Sequence, residues 1–155
     1  MIKISETKIK KAGETGVNEF LQVFTDAYLD ALGGNLTAEN MHLLNGHQHT
    51  LLAYHFLREE VMYGGFVQLI QNGYGSYIFD NPTAKALKQM GASDLAEIIY
   101  KAKEIYDFNR EELERETTEE EFTAMYVDFE QFDELEERFF EIEEEQTAII
   151  ARYVD

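Results

Sequence analysis

Val17, Phe20, Leu21, Phe24, Tyr28 and Leu32 recur at intervals of three and four residues, the period of a helix buried on one face, and Gly33-Gly34 ends the pattern. The next apolar period follows Thr37, a suitable N-cap, and runs through Met41, Leu44, Leu51, Leu52, Phe56 and Met62, with Gly46 as a candidate break. It then meets Gly64-Gly65, after which Phe66, Leu69 and Ile70 resume helical spacing. GYGSYIFDNP reads as a glycine-punctuated loop in which only SYIF has any strand character. Asp80 or Asn81 is suited to cap, and Pro82 to open, a helix TAKALKQM that stops at Gly91. Ser93 or Asp94 is suited to cap a further helix carrying Leu95, Ile98, Ile99, Ala102 and Ile105. Thr118 and Glu121 stand at capping-box spacing before Phe122, Met125, Tyr126 and Phe129. Phe132, Leu135, Phe139, Ile142, Ile149 and Tyr153 form the inward stripe expected of a closing helix. The chain is therefore expected to be all-α, a compact multi-helix bundle of roughly six to eight helices with a Gly-Gly corner between two of them.

A chain of 155 residues, 45% hydrophobic and without an internal repeat or linker, suits one domain over 1–155 with a single core. There is no cysteine or tryptophan, which removes cysteine catalysis and cysteine-based zinc sites and gives no support to an oxidising compartment. The opening MIKISETKIKKAGETG lacks the apolar run of a secretory signal, and no stretch approaches the ~18 apolar residues of a membrane span, so a cytoplasmic protein is expected. Charge changes the picture more. The formal net charge is -18, and it is concentrated: residues 1–103 carry 11 acidic and 9 basic side chains, residues 104–155 carry 20 and 4, a net of -16. Phosphates of nucleic acid or anionic membranes would be repelled by such a surface; a basic protein is the partner it favours.

The double glycine calls for a reason, because a glycine in a helix interior costs about 1 kcal/mol relative to alanine. A sharp turn with one residue at positive φ supplies it, with Phe66 plugging the corner. Gln68 and Asn72, four apart on one face, are positioned to hydrogen-bond the corner backbone or Glu60. The run Glu60-Val61, Gly64-Gly65-Phe66, Gln68, Asn72, then Ala86-Leu87 and Gly91-Ala92 resembles the signature of a bacterial family of small acidic helical domains that includes a DNA mimic. The first helix, Leu36-Thr37 and the terminal Phe132, Leu135 and Phe139 also fit, whereas Met62 and Tyr63 stand where a smaller polar residue such as asparagine is expected. The resemblance implies a helical fold, a tendency to form homodimers, and acidic side chains offered as duplex-like charge to a DNA-binding transcriptional regulator. The matching residues are the corner and its supports; surface carboxylates are not part of the signature.

With the apolar stripe of the closing helix inward, Asp133, Glu134, Glu137, Glu141 and Glu144 fall on or near its opposite face. Carboxylates three or four residues apart stand about 5 to 6 Å from one another at their bases, and a 20-residue helix spans about 30 Å, nearly a turn of B-DNA. A second row is available from Glu111 to Glu121, with Glu112, Glu116 and Glu120 as its candidate contacts. The bland alternative is that these glutamates only solvate amphipathic helices.

Other constellations lead less far. His42, His47, His49 and His55 lack the spacing of a metal motif, no P-loop is present, and neither metal nor cofactor is expected. YGSYIF, with Tyr74, Tyr77 and Phe79, suits either a self-association surface or closure of the core. Three functions stay open: a non-enzymatic DNA mimic occupying the site of a regulator or nucleoid-type protein, an immunity-type inhibitor of a basic nuclease or toxin, and a small enzyme around Glu60, Gln68 and Asn72.

Overall fold

The computed structural model describes residues 2–154, and every regular element among them is helical. In chain order these are α1 (Glu6–Thr15), α2 (Val17–Ala31), α3 (Gly46–Gln71), α4 (Gly75–Phe79), α5 (Thr83–Gln89), α6 (Ser93–Phe108), α7 (Arg110–Glu114), α8 (Glu119–Asp128) and α9 (Asp133–Val154), with short 3-10 turns at Met41–Leu43 and Glu130–Phe132. The five-residue helices α4 and α7 bring the number to nine among the described residues.

α3 is the axis of the fold. Leu52, Leu57, Val61, Phe66 and Leu69 are buried along both of its halves, and α2, α4, α5, α7 and α9 pack around it. α6 lies between α5 and α9. One apolar cluster runs from Leu21 on α2 to Ala151 on α9, so burial of a shared core, rather than the propensity of any one helix, holds the elements together.

Local chemistry departs from the sequence pattern at several helix starts. Thr37 does not open a helix: its N–H and hydroxyl bond the side chain and N–H of Asn40, closing a turn. α3 starts at Gly46 because Asn45 and Gln48 form the reciprocal capping box that an Asn-x-x-Gln spacing allows. SYIF is part of α4, not a strand. Neither Asp80 nor Asn81 caps α5: Asp80 pairs with Arg110, and the Asn81 amide donates to the Tyr77 carbonyl. Neither Ser93 nor Asp94 caps α6, whose Leu95 N–H is instead accepted by the buried Gln146 side chain of α9 at 3.2 Å. At the end of α9 the buried stripe passes through Gln146, Thr147, Ile150 and Ala151, which turns Tyr153 outward. The Thr118–Glu121 capping box forms as its spacing predicts.

Candidate functional site: a glycine corner beside an acidic helix

α3 kinks at Gly65, whose φ of 81° and ψ of -171° lie outside the region open to L side chains. Both glycines also have close neighbours. A Cβ on Gly64 would lie 2.9 Å from the Cβ of Gln68, and one on Gly65 would meet the carboxylate of Glu136. That carboxylate accepts the N–H of Phe66, the first residue beyond the kink, at 2.7 Å, and so satisfies a donor that the break in the helix would otherwise leave unpaired. The Gly64 carbonyl accepts from the Tyr126 hydroxyl of α8 at 2.8 Å. Phe66 fills the corner from inside, stacked on Phe132 and tilted against Phe79.

On the outer side, one carboxylate oxygen of Glu60 accepts from Gln68 and from Asn72, each at 2.9 Å. Glu60, Gly64, Gly65, Phe66, Gln68 and Asn72 therefore form one hydrogen-bonded and packed unit. The arrangement leaves no buried side-chain polar atom without a partner among the described residues. The carboxyl of Glu136 is raised above its ordinary value by burial and by nearby Asp133, against the opposing effect of the Phe66 N–H.

Farther along, α3 and α9 run edge to edge through a second polar seam. The Arg58 guanidinium donates to Glu143 at 2.5 Å, Thr147 also lies by Glu143, and the buried Tyr54 hydroxyl bonds Thr147. Burial pushes the Tyr54 hydroxyl up to about 12. The sequence pattern marks none of Arg58, Glu136 and Glu143, and it marks Tyr126 only as part of one helix face with Phe122, Met125 and Phe129. Arg58 had a signal, being the one lysine or arginine between Lys11 and Lys85; the inward glutamates look like their neighbours.

The structure sorts the acidic third by what each carboxylate contacts. Glu136 and Glu143 face α3, Glu114 accepts from Tyr106 and Arg110, and Glu121 serves its capping box and Arg115. Asp133, Glu134, Glu137, Glu141 and Glu144 are exposed along α9, and of these only Glu141 has an ion-pair partner among the described residues, Arg138 at 3.6 Å. Glu112, Glu116 and Glu120 are also exposed, but they lie on α7, in the segment after it and on α8, so they do not form a stripe on one helix.

The remaining candidates have local partners. His49 bonds the Met41 carbonyl through Nε2 and the Tyr77 hydroxyl through Nδ1, each at 2.7 Å. Among the described residues no group of three or more His, Asp or Glu side chains is placed to hold a metal ion. Tyr74 stacks on Phe56, Tyr77 meets the same ring edge-on, and Phe79 is buried against Phe66 and Tyr106. These aromatics close the core. No helix among the described residues is long and apolar enough to cross a membrane.

A family model described as DMP19-like protein matches residues 42–155, leaving α1 and α2 outside the match. The DNA mimic protein DMP19 of Neisseria meningitidis serogroup B is 32% identical over 117 residues, which cover 75% of this chain and 71% of that protein. The match spans the glycine corner, its Glu60 and Glu136 supports and the acidic helix: the chain belongs to the DMP19-like protein family.

Proposed function

We propose that this protein is a non-enzymatic DNA mimic, whose acidic C-terminal surface occupies the DNA-binding site of a transcriptional regulator or nucleoid-type protein. The observation that carries the reading is the row of exposed carboxylates on α9, almost free of internal ion pairs, in a chain whose relative is named a DNA mimic. Glu134, Glu137, Glu141 and Glu144 cover about 15 Å of helix at 1.5 Å per residue, or about 5 Å per charge. One strand of duplex has a phosphate about every 3.4 Å along its axis, so this row is sparser than a strand and needs Asp133 and a second row to match a duplex. Glu112, Glu116 and Glu120 supply that second row in this reading.

Like charges held this close repel one another, and a basic protein surface relieves the repulsion by releasing counterions and pairing the carboxylates. The same physics makes binding competitive with DNA. A partner captured from native cytoplasm at low salt should be released by duplex DNA; one that holds this protein under saturating duplex is recognising another surface.

A further inference from the structure

An apolar side chain interrupts the acidic row. Phe140 is 52% exposed, with Glu137 and Glu144 three and four residues away on the same face of the helix. Facing contacts locate it across from α3: Glu136 reaches Phe66, Glu143 reaches Arg58 and Thr147 reaches Tyr54, so the edge of α9 that carries Phe140 runs antiparallel to the edge of α3 between Arg58 and Gly65. Met62, on that stretch, is 43% exposed, and Tyr63 beside it is 83% exposed. What distinguishes Phe140 is its setting: an aromatic face and the carboxylates of Glu137 and Glu144 are offered together on one side of the helix.

We infer that Phe140 is a seat for arginine side chains of the basic protein partner, the guanidinium stacking on the ring while Glu137 or Glu144 accepts its hydrogen bonds. The inference rests on the basic-partner reading above and makes it more specific. Charge complementarity selects a cationic occupant, and the ring selects among cations. A planar, weakly hydrated guanidinium can lie on an aromatic face and still donate to a carboxylate at its edge, whereas a lysine ammonium is compact and strongly hydrated. The surface would thus take an arginine-rich site over a lysine-rich one of equal charge.

Fluorescein-labelled octa-arginine and octa-lysine peptides test this by anisotropy titration against the full chain and three variants. Phe140→Leu keeps apolar volume without the ring and should weaken octa-arginine by about two- to fivefold, the range of an exposed cation–π contact, while barely changing octa-lysine. Phe140→Tyr keeps the ring and should retain the parent's affinity for both peptides. The triple variant Glu137→Gln, Glu141→Gln, Glu144→Gln should weaken both peptides. An equal response of both peptides to Phe140→Leu, including no response, overturns the aromatic seat. If the triple variant also binds both as the parent does, the acidic face itself is not the cation site, which separates failure of the broader reading from failure of this one.

Discussion

At Gly65 two demands coincide: a backbone conformation closed to other residues, and a carboxylate lying where a side chain would begin. Gly65→Val should therefore lower stability by about 2 to 4 kcal/mol, from backbone strain together with loss of the Glu136 contact to Phe66. Glu60→Gln should cost less, because an amide oxygen can still accept from Gln68 and Asn72. Urea unfolding of the two variants compares them, and a valine variant as stable as its parent would contradict the account. Glu136 adds a dependence on pH. Its folded carboxyl is raised above the unfolded value, so it favours the folded state at low pH, and that contribution is lost as pH rises through the folded value. Glu136→Gln keeps an acceptor for Phe66 and removes a desolvated charge. The variant should melt at or slightly above the parent at neutral pH, with the difference shrinking toward about pH 4 as the parent's carboxyl becomes protonated.

Among elements, α9 has two polar edges with different tasks, and adjacent glutamates separate them. Glu143 is only 14% exposed and pairs with Arg58, which is 26% exposed, while Glu144 points to solvent. Glu143→Ala should destabilise by about 1 to 3 kcal/mol, since it leaves a half-buried guanidinium unpaired, and Glu144→Ala by about 0.5 kcal/mol or less. Thermal melts of the pair would reveal any failure of this division as equal losses. This contrast also marks where sequence reasoning stops. The helix of Val17–Ala31 and the Thr118–Glu121 box were legible because their causes, an apolar period and a reciprocal cap, lie within a few residues of chain. Asn45–Gln48 was equally local, but Thr37 competes for the same role in the pattern. The cap of α6 was not legible, since its acceptor, Gln146, is 51 residues away from Leu95. For the same reason the glycine corner could be read, with its need for positive φ, but Glu136 as its partner from α9 could not. The exposed row on α9 follows from helical phase, and Glu114 and Glu121 are taken up by partners within eight residues of chain, whereas the loss of Glu136 and Glu143 to contacts with α3 depends on tertiary geometry.

Over the whole molecule, the formal charge of -18 is larger in magnitude than the roughly 2 to 8 charges that keep a small domain soluble, and 20 of its 31 acidic residues lie in 104–155. The family match covers that region and the corner that joins the halves of α3, and its relative is named for DNA mimicry. In the proposed function the exposed carboxylates of α9 meet the partner in place of phosphates. The most direct measurement is the salt dependence of affinity for the DNA-displaceable partner, comparing the parent with the quadruple variant Glu134→Gln, Glu137→Gln, Glu141→Gln, Glu144→Gln. Glutamine preserves shape and helix propensity, so the variant should keep the parent's thermal stability, bind about 1 to 4 kcal/mol more weakly at low salt, and show a shallower fall of affinity with salt. Parental affinity and an unchanged salt slope in the folded variant would contradict the claim.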